Sequence, residues 1–272
     1  MTIDLTLFAA AMFAFGLLLG SFANVVVWRF PRGESLSTPG SHCPACDAPV
    51  RWYDNIPVIS WLLLRARCRS CGEPIARRYP AVELLSGLLW LAVAITYGVG
   101  VQAVIAGFFF WTLLILTFID LDTMRLPNPI VGALALLGLL GALVWQLADV
   151  AWVPLTYAGA SPLLIALLGV ALGAGLSGAI AALYAGVRGR SGFGMGDVKL
   201  LGAMGLFLGP YVLLSLFIGS LFGAVVGVVT AARSETGLAT KIPFGPFLAL
   251  GGIFAALVGP DVVRMYLALV TG

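Results

Sequence analysis

Charge is scarce in this chain of 272 residues. Asp, Glu, Lys and Arg make up 10% of it, 61% is hydrophobic, and the mean hydropathy is +1.05. A soluble domain carries about 25% charged residues, so the shortfall excludes an ordinary soluble enzyme and leaves an all-α polytopic membrane protein. Histidine is reduced to one residue, His42, which sits beside the cysteines, and no nucleophilic triad is apparent. No basic n-region precedes the first apolar run, only Asp4, and no small-residue cleavage site follows it. A retained first helix is therefore expected rather than a removed signal peptide. No internal repeat is visible, whereas a transporter built from inverted halves would often show one. The net charge of +3 does not suggest nucleic-acid binding, because the basic residues follow a membrane pattern.

Long hydrophobic runs are what the chain does have. A spanning helix needs about 20 mostly apolar residues. Eight spans are expected, at about 5–28, 80–98, 101–120, 128–148, 160–187, 197–209, 211–232 and 245–270. The sixth is short, and its break falls near Gly209-Pro210. The polar segment 29–79 divides the first span from the second and contributes eight of the fifteen Lys and Arg residues. With that segment cytoplasmic, Arg125, Arg188, Arg190, Lys199, Arg233 and Lys241 also fall on the cytoplasmic side, as the positive-inside rule requires. Arg264 alone does not, the connection 149–159 has no Lys or Arg, and both termini lie outside. Three parts follow: a first helix at 1–28, a cytoplasmic insert at 29–79, and a multi-helix membrane domain at 80–272. Gly219, Gly223 and Gly227, like Gly169 and Gly173, have the small-xxx-small spacing that lets helix backbones approach in lipid.

Of twelve acids, Asp4, Asp149 and Asp261 lie near the outer face, and Glu34, Asp47, Asp54, Glu73 and Glu235 lie in polar loops. Glu83, Asp120, Asp122 and Asp197 abut or enter spans, where an ionisable residue is a functional candidate. Asp120 ends the third span and Asp197 begins the sixth, at the same end of the membrane. Two carboxylates brought together in a poorly solvated site share a proton. One then takes a proton from water while its protonated partner polarises a peptide carbonyl, which is aspartic protease chemistry. The plain alternative is that Asp120 and Asp122 cap the end of their span. Two residues apart on a helix, they point to nearly opposite faces, so at most one meets Asp197; spacing does not choose between them. Glu83 follows Arg77 and Arg78, and pairing with one of them is its plain role. Gly194 and Gly196 permit dihedrals closed to other residues and keep bulk away from Asp197.

The four cysteines form two CxxC pairs, Cys43/Cys46 and Cys68/Cys71, with 21 residues between them. That spacing is the pattern of a tetrahedral structural Zn²⁺ site. A segment too small for a large core gains from such a staple, and a cytoplasmic location argues against disulfides. Redox thiols are the competing reading. His42 could substitute as a ligand, but four cysteines already close the site.

Six stretches in order resemble the prepilin peptidases, the type IV leader peptidase family of membrane aspartic proteases. They are GSFANVVVWRFPRGES (20–35), the CPAC and CRSC pair, NIPVISWLLLRARCRSCGEPIARRYPAVELLSG (55–87), FIDLDTMRLPN (118–128), GMGDVKLLGAMGLFLG (194–209) and KIPFGPFLALGG (241–252). The resemblance implies that Asp120, seven residues before Pro127, and Asp197 are the catalytic pair, with Asp122 a neighbour. Asn128 stands where many relatives have Asp. It implies cleavage of the basic leader of prepilins or pseudopilins at the cytoplasmic face of a bacterial inner membrane. It also implies S-adenosylmethionine-dependent methylation of the new N-terminus. No nucleotide-type glycine loop marks a place for that cofactor, so segment 29–79 and Glu83 are the candidates. Gly194, Gly196, Asp122, Lys199 and Glu83 are supporting or substrate-binding candidates, Lys199 also having the plain role of an interfacial anchor. The zinc cysteines are assigned to folding. Two other readings are an intramembrane protease of presenilin type and a transporter using Asp120 and Asp197 as ion sites. The cysteine segment counts against both. The bilayer is the other partner, and no oligomeric state follows.

Overall fold

A computed structural model describes residues 4–148, 161–189, 193–234 and 242–271. The connection 149–159, Arg190 and Lys241, used in the orientation argument, and the acids Asp149 and Glu235 lie outside the described residues. The described chain is helical, without strands among the described residues, as a polytopic membrane protein should be: buried backbone groups in lipid are satisfied within each helix. Backbone contacts group it into two units, 1–115 and 116–272.

The first unit pairs α1 (Leu5–Arg29) antiparallel with α3 (Arg78–Tyr97). Asp4 caps α1 by accepting the Thr6 N–H at 2.8 Å. The pair packs backbone to backbone. A Cβ at Gly16 would lie 2.7 Å from Trp90 Cβ, and one at Gly20 would lie 2.6 Å from Glu83 Cα. Close approach lets the Ser86 hydroxyl donate to the Gly16 carbonyl at 2.6 Å. The first part of α4 (Val101–Thr123) joins them, with Trp111 Nε1 donating to the Leu19 carbonyl at 2.9 Å. Between α1 and α3 lie the cysteine segment and one short helix, α2 (Ile59–Leu63).

The second unit is built around α8 (Met195–Leu208), whose Leu200, Leu201, Met204, Phe207 and Leu208 are fully buried. Around it stand α5 (Asn128–Ala148), α6 (Pro162–Val170), α9 (Val212–Arg233) and α10 (Gly245–Thr271). A π-helical turn at Ala171–Leu176 connects α6 to α7 (Ser177–Arg188). The small-residue series do the packing expected of them. A Cβ at Gly169 would lie 2.0 Å from the Gly205 carbonyl oxygen, and one at Gly173 2.4 Å from that of Leu201. Gly219 and Gly223 face Phe247 and Phe244 of α10.

Among the described residues seven helical stretches are long and apolar enough to cross a membrane, against eight expected. The difference lies in Met195–Arg233, a stretch of 39 residues holding both the sixth and seventh expected spans. It doubles back at Gly209–Tyr211, where Gly209 has φ +52°. Helix α9 is antiparallel to α10: Tyr211 meets Gly259, Ser215 Oγ donates to the Leu248 carbonyl at 3.1 Å, and Gly223 meets Phe244. Its C-terminal half therefore lies at the end of α10 that carries Gly245. Helix α8 starts at that same end, because Cβ atoms at Gly196 and Gly245 would both touch Leu126, at 3.3 and 3.2 Å. So α8 leaves this end and α9 returns to it. At 14 residues α8 is about 21 Å long, short of the roughly 30 Å hydrocarbon core. Its sheath of neighbours, rather than lipid, makes that length tolerable.

Candidate active site and cysteine cluster

Asp120 lies one turn from the end of α4, and the helix stops just after it. The Met124 N–H returns to the Asp120 carbonyl at 2.8 Å while Met124 takes a left-handed φ of +52°, the geometry of an αL cap. Because the helix persists through Thr123, Asp120 and Asp122 diverge as expected: Asp120 is 5% exposed and Asp122 lies on the exposed face. Asp120 is therefore the member of the pair that faces the packed interior.

Its carboxylate is met by the start of another helix. The Gly245 N–H donates to Asp120 Oδ2 at 2.9 Å. This N–H belongs to the first residue of α10, one of the four donors a helix leaves unpaired at its N-terminus, and the helix dipole favours an anion there. A Cβ at Gly245 would lie 2.7 Å from Asp120 Oδ2 and 3.2 Å from Leu126 Cδ2, so a larger residue here would displace the carboxylate.

Asp197 occupies the third position of α8, and its carboxylate reaches back to the N–H of the cap residue Gly194. This is the acidic half of a capping box. Asp120 and Asp197 thus sit at two helix N-termini that converge on Leu126. The glycines serve Asp197 by lacking bulk: a Cβ at Gly194 would lie 2.7 Å from Asp197 Oδ2. The expectation of unusual dihedrals is corrected, since Gly194 is extended at φ −72° and Gly196 is helical. Chemically, a half-buried carboxylate beside a buried one can divide base and acid work between them.

Lys199 is exposed and donates from Nζ to Asn128 Oδ1 at 3.0 Å, tying α8 to the start of α5. Asn128, the departure from the family pattern, thus has a defined use. In the first unit Glu83 is half-buried, and its Oε2 accepts the Val58 N–H at 2.7 Å, with the Ser21 hydroxyl also on the carboxylate.

The thiol sulfurs of Cys43, Cys46, Cys68 and Cys71 all lie within 4.8 Å of one another, with Cys43 Sγ to Cys71 Sγ at 3.8 Å. Four thiolates on a tetrahedral Zn²⁺ at 2.3 Å would stand about 3.8 Å apart, so this donor set can hold a metal ion of that kind. Backbone N–H groups of Cys71 and Ser70 push the Cys68 thiol down to about 6, while Cys46 and Cys71 are shifted up. His42 is outside the cluster, its Nδ1 3.1 Å from the Gly40 carbonyl oxygen.

The two knuckles are copies of each other, a local repeat within the cysteine segment. Cys43 N–H to Ala48 O, Asp47 N–H to Cys43 O and Val50 N–H to Ser41 O recur as Cys68 to Glu73, Gly72 to Cys68 and Ile75 to Ala66. The bridge His42–Pro49 recurs as Arg67–Pro74. Every equivalence is offset by 25 residues, a period masked by few identities. Arg69 joins the second knuckle to the turn before α2 through two bonds to Asp54, at 2.8 and 2.6 Å.

Comparison with known proteins adds a lineage to this geometry. The family described as bacterial peptidase A24 N-terminal domain matches residues 14–97, and the type IV leader peptidase family matches 107–228. A prepilin leader peptidase/N-methyltransferase of Aeromonas hydrophila is 37% identical, covering 96% of this chain and 94% of its own. One from Pseudomonas aeruginosa is 35% identical, covering 93% and 91%. A type 4 prepilin-like proteins leader peptide-processing enzyme of Escherichia coli O78:H11 is 35% identical, covering 88% and 89%. No solved structure matches.

Proposed function

The chain belongs to the type IV leader peptidase family, and we propose on that premise that it cleaves the leader from prepilin-like proteins, with Asp120 and Asp197 as its catalytic pair. The observation that supports this is the convergence of the N-termini of α8 and α10 on Leu126, the first carrying Asp197 and the second binding Asp120. The pair shares one proton. Its ionised member takes a proton from water as the water oxygen attacks the scissile carbonyl carbon. The protonated member hydrogen-bonds to the carbonyl oxygen as charge develops there, and a proton then passes to the leaving amine. Gly194 and Gly196 leave space for an extended substrate backbone beside Asp197. The test is cleavage of a purified prepilin by the full chain in vesicles. Asp120→Asn and Asp197→Asn abolish it, and Asp122→Asn retains most of it. Full activity in Asp197→Asn would refute the pair.

We place the pair and segment 29–79 at the cytoplasmic face of the inner membrane. Lys and Arg placement supports this, and the return of α9 keeps Arg233 at the end that carries Lys199. The metal at the cysteines is assigned as structural Zn²⁺, holding together a segment with little core of its own. The functional parts are then 1–28, 29–79 and 80–272. Prepilins or pseudopilins and the bilayer are the partners; nucleic acid is not among them.

N-methylation of the new N-terminus is part of the same proposal, and S-adenosylmethionine supplies the methyl group when bound. Segment 29–79 and Glu83 are the candidates for its site, and Glu83 also holds the cysteine segment on α3 by accepting the Val58 N–H.

A further inference from the structure

Helix α2 is too short to carry a core, yet it is held firmly. Ser60 is buried, its hydroxyl donating to the Tyr53 carbonyl at 2.9 Å and accepting the Ile56 N–H at 3.0 Å. On the same side Trp61 Nε1 donates to the Ile75 carbonyl at 3.1 Å. The opposite face is apolar and bare: Ile59, Leu62 and Leu63 are 53%, 61% and 78% exposed. Their i, i+3, i+4 spacing puts all three on one side.

Depth decides what covers that face. The residue before α2, Val58, donates its N–H to Glu83, the sixth residue of α3. Five rises along α3 put Glu83 about 7.5 Å beyond Arg78. Helix α3 has 20 residues, about 30 Å, the thickness of the hydrocarbon core. With Arg78 at the headgroup boundary, the start of α2 is therefore held about 7.5 Å inside it, among the first segments of the acyl chains. Exposed cations follow it directly: Arg65 and Arg67 after the helix, and Arg77 at the mouth of α3. Basic residues beside an apolar face suit anionic headgroups. A partner helix would need anchors over two turns or more, and α2 offers one.

We propose that α2 is an interfacial anchor. Ile59, Leu62 and Leu63 insert among the acyl chains of the adjacent leaflet, and Arg65, Arg67 and Arg77 hold phospholipid phosphates. This fixes the height of the cysteine segment above the membrane, and it depends on the membrane reading alone, not on the peptidase reading.

The test uses the full chain in vesicles of phosphatidylethanolamine and phosphatidylglycerol. Ile59, Leu62 and Leu63 are replaced one at a time by p-benzoylphenylalanine and irradiated. Leu164, 65% exposed on α6, is the lipid-facing reference; exposed Glu73 of the second knuckle is the aqueous one. Phospholipid adducts at 59, 62 and 63 should match those at 164 and exceed those at 73 several-fold. Adduct yields at the Glu73 level would overturn the proposal. So would transfer of the crosslinks from lipid to an added prepilin. Arg65→Gln with Arg67→Gln should lower the adducts at 63 in phosphatidylglycerol vesicles and leave them unchanged in wholly zwitterionic ones. Equal yields in both would remove the arginines from the anchor.

Discussion

The carboxylate of Asp120 is held by the backbone N–H of Gly245, 125 positions later in the chain, at 2.9 Å. Gly245→Ala keeps that donor but puts a methyl group where the carboxylate oxygen stands, 2.7 Å away. The expected result is a fall in kcat of roughly 10–100-fold with little change in KM, as for a misplaced reacting group. Gly132→Ala is the control, since a Cβ there meets nothing within 4 Å. Steady-state cleavage of a prepilin by the two variants checks both outcomes.

The legibility of this site differed residue by residue. Asp120 and Asp197 could be found because an acid at a span end is rare and topology put both at one end. Gly245 stood in a motif already singled out, KIPFGPFLALGG, but its contribution is a backbone N–H and has no side-chain signature. A glycine before a proline at the start of an apolar run was the available signal for a helix N-terminus. The dihedral argument for Gly194 failed because glycine was needed there for volume. Helix α8 was marked as short, yet only its burial explains how so short a helix is stable. The two CxxC pairs showed the duplication of the ligands, and the backbone hydrogen bonds extend it over the whole knuckle.

Val58 couples the cysteine segment to α3 from a strained position, φ +62°. A β-branched residue rarely adopts that conformation, at a cost of about 1–3 kcal/mol. Its N–H bond to Glu83 holds it there. Glu83→Gln keeps an acceptor and should preserve the segment. Glu83→Ala should release it, with faster tryptic cleavage at exposed Arg65 and Arg67. Equal cleavage rates in wild type and Glu83→Ala would show that the contact does not hold the segment.

Gly205 and Gly169 bring α8 against α6, a Cβ at Gly205 lying 2.3 Å from the Gly169 carbonyl oxygen. Backbone cannot yield as a flexible side chain can. Gly205→Val should lower the melting temperature of the purified protein, at a cost of about 3 kcal/mol or more from overpacking. Activity at low temperature should fall as well, since α8 carries Asp197. A variant with wild-type melting would contradict the close approach.

Asp54 makes stability depend on pH in a defined direction. Its hydrogen bonds with Arg69 hold the carboxyl below the usual carboxylate value, with burial opposing. The stabilisation is therefore present above the unfolded value near 4 and lost as pH falls through the folded one. Wild type should melt above Asp54→Asn at neutral pH, and the gap should close on acidification. Arg69 is half exposed and solvent screens the pair from that side, so the gap is small. Thiol protonation is common to both proteins and leaves the difference intact.

The 25-residue equivalence of the knuckles predicts paired effects. Cys46→Ser and Cys71→Ser remove equivalent ligands and should cause equal loss of bound zinc, read by metal analysis of the purified protein. The position after each second cysteine is left-handed in both copies, Asp47 at φ +54° and Gly72 at +76°. Glycine takes that conformation without strain and aspartate at a cost of about 1 kcal/mol. Asp47→Gly should therefore hold zinc against a chelator as well as wild type or better. Gly72→Val puts a branched side chain in the same conformation and should release zinc at lower chelator concentration. The opposite order would mean that the two turns do not share one backbone geometry.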